Sequence, residues 1–187
     1  MPGLSRARGR GGAVPVSDRE NKRWALETIR RLDPKVIVDI GPGEGTYSDL
    51  ARQHTRGAHW IAIEAWAPYI PRYGLWRKYN HVVVSDVRHC DFSTITGAPD
   101  LVIIGDVLEH MTHIEARGVL ERLKLWADHI LVCVPLEHRH QDAVEGNWFE
   151  IHREHWTFDE MAEELSDGLV ASKRGKVLGY FHWSCGA

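Results

Sequence analysis

One stretch of the 187-residue sequence carries chemistry in its spacing: Asp39-Ile40-Gly41-Pro42-Gly43-Glu44-Gly45-Thr46. Glycines at alternate positions after an apolar run let the backbone turn tightly and approach a ligand without interference from a Cβ. A dinucleotide cradle requires G-x-G-x-x-G, and the third position of that pattern is Thr46 here. Asp39, two residues before the first glycine, suits a ligand with an ammonium group better than a pyrophosphate. Further along stand two acids at the ends of apolar runs, Glu64 and Asp86, and an acid–imidazole segment, Asp106-Val107-Leu108-Glu109-His110. A stretch rich in Trp and His, Pro135 to Trp156, holds Trp148, His152 and His155. Carboxylates beside imidazoles suit proton transfer or the binding of a divalent cation.

The elements that must position these groups are legible as an alternation. Ser17 and Glu20 have the spacing of a capping box, and Ala25, Thr28, Ile29 and Leu32 then share a helical face up to Pro34. Val36–Ile40 reads as a buried strand ending at the glycines, followed by a helix over Thr46–Arg56 that Gly57 terminates. His59–Ala65 is a second strand, and Pro68 lies near the start of an aromatic-rich helix reaching about Tyr79. His81–Val87, Leu101–Gly105 and Ile130–Val134 are strands three to five. Thr112 with Glu115, and Thr157 with Glu160, form capping boxes for two later helices, and Leu169–Arg174 and Val177–Trp183 read as an antiparallel pair. Short apolar runs alternating with helices predict a Rossmann-like α/β domain: a seven-stranded sheet, five strands parallel, with a final antiparallel pair and helices on both faces. Ligands of such sheets bind outside the carboxyl ends of the strands.

Composition narrows the class. At 43% hydrophobic and 26% charged residues, the chain has the balance of one ordinary domain, here residues 17–187, preceded by a Gly-, Pro- and Arg-rich tail at 1–16 that reads as mobile. A net charge of −3 provides no global attraction to nucleic acid or to an anionic membrane, although Arg6, Arg8 and Arg10 could touch a phosphate backbone. Cys90, Cys133 and Cys185 lie far apart and lack C-x-x-C spacing, which points to a reducing compartment and no thiolate metal site. No apolar run approaches a membrane span, so the expected location is the cytoplasm and the expected state a monomer or homodimer.

The segment Val36-Ile37-Val38-Asp39-Ile40-Gly41-Pro42-Gly43-Glu44-Gly45-Thr46 resembles the first motif of class I S-adenosylmethionine-dependent methyltransferases. The resemblance implies that Asp39, Gly41, Pro42, Gly43 and Gly45 line the amino-acid part of the cofactor. It also implies that Glu64 accepts hydrogen bonds from the ribose hydroxyls, with Trp66 bordering the sugar or adenine by stacking. Asp86, with Asp91 as its competitor, would accept from the adenine amino group while the Val87 backbone meets the ring. Gly105-Asp106-Val107-Leu108-Glu109-His110 is similar to the D/E-V-L-E-H segment of one large branch, methyltransferase types 11 and 12, where Asp106 would lie beside the sulfonium and face the acceptor.

The implied reaction is methyl transfer from S-adenosylmethionine to an O or N nucleophile, with S-adenosylhomocysteine as product. His110 or His152 is the candidate base, with Trp148 beside the acceptor. Alternatively Asp106, Glu109 and His110, joined by His152 or His155, form a divalent-metal set similar to that of small-RNA 2′-O-methyltransferases. Compactness favours a small-molecule acceptor over nucleic acid. The sequence holds neither an N/D-P-P-Y/F tetrapeptide nor a Pro-Cys nucleophile, which disfavours methylation of DNA bases. A binding module without catalysis is the third expectation.

Overall fold

A computed structural model describes residues 18–138 and 140–187. The expected tail and Ser17 lie outside the described residues. Helix α1 (Lys22–Leu32) leads into β1 (Val36–Ile40), α2 (Thr46–Ala51) and β2 (His59–Glu64). Helices α3 (Tyr69–Tyr73) and α4 (Leu75–Lys78) precede β3 (His81–Val84). Then come β4 (Leu101–Gly105), α5 (His113–Lys124), β5 (His129–Pro135), α6 (Phe158–Glu164), β6 (Leu169–Arg174) and β7 (Leu178–Ser184).

The strands form one seven-stranded sheet in the order β3-β2-β1-β4-β5-β7-β6. β1 to β5 are mutually parallel, and β7 pairs antiparallel with both β5 and β6. The chain moves outward from β1 to β3 and then returns to β4 on the other side of β1. Two neighbouring strands therefore send their following loops in opposite directions, and a crevice opens at their carboxyl ends.

Along the parallel strands, side chains alternate between two buried faces as the pleat requires. Val38, Ile40, Val102 and Ile104 pack with α5 and α6, while Ile37, Leu101 and Ile103 pack with Ala25 and Ile29 of α1 and Leu75 of α4. Asp39 shares the second face and is 1% exposed.

Several boundaries differ from the sequence reading. The aromatic-rich helix is divided by Gly74, whose φ of 62° closes α3 before α4 begins. Strand three ends at Val84, so Asp86 and Val87 lie in the turn beyond it. Helix α1 starts at Lys22, later than expected, and the Glu20 carboxylate accepts the backbone N–H groups of Lys176, Val177 and Leu178 at 2.7–2.8 Å. Both later capping boxes form complete, at Thr112/Glu115 and Thr157/Glu160. Among the described residues, no helix is long and apolar enough to cross a membrane.

Candidate functional site

A cavity of about 290 Å³ occupies the crevice. Its floor is the loop after β1, where Gly41, Gly43 and Gly45 all have positive φ, at 61°, 53° and 87°. Gly41 is required twice over. Its φ is left-handed, and a Cβ there would meet Val107 Cγ2 at 2.5 Å. The turn is closed by the Gly45 N–H, which donates to the Pro42 carbonyl at 2.7 Å. Gly41, Pro42 and Gly43 therefore line the cavity, whereas Gly45 braces the turn from behind.

Asp39 does not reach the cavity wall. The strand pleat turns it toward the α1 side, where it accepts a 2.6 Å hydrogen bond from the Tyr79 hydroxyl. Burial pushes its carboxyl up to about 7, against the opposing effects of Tyr79 and the Lys22 charge. The expected ligand contact becomes a support beneath the loop.

Glu64, at the end of β2, is on the wall and 5% exposed. Burial raises its carboxyl to about 7, although the Trp66 N–H donates to it at 2.7 Å. The Trp66 ring does not line the cavity. Trp66 contributes its backbone, which orients Glu64, because the chain turns away toward α3 immediately after the strand.

Asp86 and Val87 also line the wall. Arg88 grips the Asp86 carboxylate through its backbone N–H, Nε and Nη2 at 2.7–3.0 Å, and a further nitrogen reaches Glu115 at 2.9 Å. Burial alone would raise the Asp86 carboxyl, but these bonds outweigh it and hold the group below its ordinary range. Asp91 is instead an exposed cap for the turn at Phe92–Thr94, accepting from the Ser93 N–H.

The rest of the cavity wall is built by the segment after β4 and by the strap from Pro135 to Trp156. Asp106 has a φ of 55°, and its N–H donates to the Cys133 carbonyl at 3.0 Å. That left-handed step lets the turn Leu108–His110 fold back toward the cavity. Glu109 is 3% exposed, and its carboxyl is driven well up by burial and then by the Asp106 charge. Its Oε2 has no hydrogen-bond partner among the described residues. His110 and His152 lie edge to face with ring centres 4.9 Å apart. Burial, reinforced by His152, lowers the His110 imidazole to about 4, so it is neutral at pH 7 but far less basic than an exposed histidine.

Donor atoms of Glu109, His110 and His152 all lie within 4.8 Å of one another. Neither Asp106 nor His155 joins them. The strap is pinned where the Arg153 and Glu154 N–H groups donate to the Glu109 carbonyl, and this places His152 against His110. The His155 carbonyl is held instead by His113 Nε2 at 3.1 Å, and its ring faces His138 in a separate recess of about 50 Å³.

The strap also supplies groups that spacing alone did not single out. Glu150 lines the cavity and accepts from the Tyr69 hydroxyl at 2.9 Å, while its carbonyl accepts from Gln141. Arg72 pairs with Glu145 at the neighbouring turn. Trp148 and Phe149 line the cavity yet remain 69% and 37% exposed. An acid amid Asn147-Trp148-Phe149 was the available signal for Glu150, but its partner Tyr69 lies 81 positions away.

No protein-family model matches the chain, and no curated protein matches it. Solved structures do. The N-terminal domain of EvdMO1 with SAH bound is 13% identical, with 89% of this chain and 82% of that one aligned and a TM-score of 0.64. TehB from Haemophilus influenzae is 10% identical over 87% of this chain and 61% of its own, with a TM-score of 0.66. The small RNA methyltransferase HEN1 is 16% identical over 98% of this chain but only 27% of its own, with a TM-score of 0.71. At such identities the likeness is one of architecture: this chain has the seven-stranded Rossmann-like fold of the class I methyltransferases.

Proposed function

We propose that this chain transfers a methyl group from S-adenosylmethionine to an O or N nucleophile of a small-molecule acceptor. The observation that carries the reading is one continuous cavity at the switch point of the sheet. The glycine loop, Glu64, Asp106, Glu109, His110 and His152 all line it. Gly41, Pro42 and Gly43 receive the amino-acid part of the cofactor, Glu64 the ribose hydroxyls, and Asp86 with the Val87 backbone the adenine. Asp39 and Gly45 hold the loop, and Asp106 faces the sulfonium.

Methyl transfer is an in-line displacement, so the protein mainly has to align the acceptor with the methyl group and exclude water. Floor and strap do this from opposite sides. The lowered basicity of His110 leaves His152 as the better placed imidazole for taking a proton. Calorimetry tests the reading. S-adenosylmethionine and S-adenosylhomocysteine are expected to bind, NAD to give no heat, and Glu64→Ala to weaken binding. Failure of S-adenosylmethionine to bind the folded protein would remove the reading.

A second reading is favoured by the cluster itself. Glu109, His110 and His152 would hold a divalent cation, because an unpartnered buried carboxylate oxygen beside two imidazoles is a suitable donor set. Such a cation would polarise an acceptor hydroxyl, as the alternative of RNA 2′-O-methylation requires. Activity abolished by a chelator and restored by Mn²⁺ would support this version; chelator-insensitive turnover would exclude it.

A further inference from the structure

The wall of the cavity holds more acids than cations. Seven carboxyl side chains and two guanidinium groups line the whole cavity. Of the two cations, Arg88 is committed to Asp86 and Glu115, and Arg153 is exposed. S-adenosylmethionine, with a sulfonium, an ammonium and a carboxylate, brings only one net positive charge. Among the described residues, Glu109 and Glu150 face the cavity with no cation paired to them.

Glu109 is buried with one oxygen lacking a partner among the described residues, which is costly unless a ligand supplies one. At the opening, Trp148 and Phe149 present exposed aromatic rings. Aromatic faces and carboxylates attract the same kind of ligand, a cation on an apolar or planar body.

Resting on the methyl-transfer reading, we infer that the acceptor is an amine that enters as an organic ammonium ion, held between Glu109, Glu150 and the rings of Trp148 and Phe149. Carboxylate- and phosphate-bearing acceptors are repelled by the same wall. The chemistry balances simply. The bound ammonium loses one proton to solvent by way of His152, and the nitrogen lone pair then attacks the methyl carbon. The carbon–sulfur electron pair stays on sulfur as the thioether of S-adenosylhomocysteine. The product is a methylammonium ion, whose charge the same acids accommodate.

The test uses the full chain saturated with S-adenosylhomocysteine, whose own binding heat is recorded first. Absence of that heat marks failure of the methyl-transfer reading, separately from the acceptor question. Three probes sharing one ring are then titrated at neutral pH: tyramine, neutral 4-ethylphenol, and the anion 3-(4-hydroxyphenyl)propionate. Tyramine is expected to bind at least about tenfold more tightly than the anion, with the neutral phenol between them. Glu150→Gln is expected to reduce that preference to about threefold or less while keeping the S-adenosylhomocysteine heat. Trp148→Ala, at an exposed position, is expected to weaken tyramine about three- to fivefold, independently of how Glu150→Gln folds. Equal or tighter binding of the anion overturns the inference, as does absence of tyramine binding at millimolar concentration. A switch to anion preference on adding Mn²⁺ also overturns it, in favour of the metal reading.

Discussion

Glu64 is a carboxylate that the fold makes costly to ionise, and a ribose diol is a ligand that wants it ionised. With its carboxyl raised to about 7 by burial, ligand-free protein at pH 6 holds Glu64 mostly protonated. Binding that requires the carboxylate must then release a proton. The affinity for S-adenosylhomocysteine is therefore expected to rise with pH by up to about tenfold per unit below 7 and to level off above it. Calorimetry across pH 5.5–8.5 in buffers of different ionisation enthalpy measures both the affinity and the proton. Glu64→Gln is expected to flatten the profile and weaken binding by about 10- to 100-fold, since hydrogen bonds to a charged group are each worth about 1.5–3 kcal/mol. A wild-type affinity independent of pH would show that Glu64 does not meet the ribose.

At the scale of elements, two junctions tie separate parts of the chain together. The first is the β1 loop. In Gly41→Ala the new methyl group must occupy left-handed backbone, costing about 1–2 kcal/mol, and must also displace Val107 Cγ2 from 2.5 Å. Because Val107 follows Asp106, the strain is shared between floor and acceptor wall. Thermal unfolding is expected to show a Tm lower by several degrees, and calorimetry a loss of cofactor binding. The second junction ties the start of the described chain to the β6–β7 turn through Glu20. Three backbone N–H bonds, led by that of Lys176, hold its carboxyl below the ordinary range. Glu20→Ala leaves the turn amides without this acceptor and is expected to cost about 1–2 kcal/mol, seen as a Tm lower by roughly 3–6 °C. An unchanged Tm would mean that water replaces the carboxylate at no cost.

For the whole molecule, buried ionisable groups set the pH range of the ligand-free state. Asp39 and Glu64 both sit at about 7, pushed up chiefly by burial, so the folded chain binds their protons more tightly than the unfolded chain does. Stability from this source is present at low pH and is lost as pH rises from the ordinary carboxylate range through 7. His110 and His182, both lowered to about 4 by burial and by a neighbouring histidine, act oppositely. Their contribution is present above the ordinary histidine value and is lost as pH falls from 6.5 toward 4. The two effects oppose each other between about 4.5 and 6.5, and above that only the carboxyls remain. Ligand-free protein is expected to lose Tm between pH 6.5 and 7.5, at up to about 1.4 kcal/mol per pH unit for each carboxyl. Asp39→Asn, which preserves an acceptor for Tyr79, is expected to reduce that slope in calorimetric scans. A Tm that rises across this interval would contradict the protonated state of both acids. Saturating S-adenosylhomocysteine should raise the Tm throughout, by mass action on the folded state.

Much of this organisation is local and could be read from the sequence. The five β-branched runs, the glycine spacing and the capping boxes at Thr112 and Thr157 each act over a few residues, and short-range sterics and hydrogen bonding determine them wherever the chain goes. The alternation of these elements likewise implied a parallel sheet with its ligand at the carboxyl ends, since right-handed crossovers leave few other arrangements. What needed the tertiary structure was the direction of individual side chains and the pairing of distant ones. The pleat turns Asp39 away from the cavity, the turn after β2 carries the Trp66 ring aside, and pinning of the strap on the Glu109 carbonyl selects His152 over His155. Glu150 gained its place only through Tyr69, and Glu20 only through a turn more than 150 residues away. Desolvation follows the same division: residue type supplies an acid, but only packing determines whether that acid is charged.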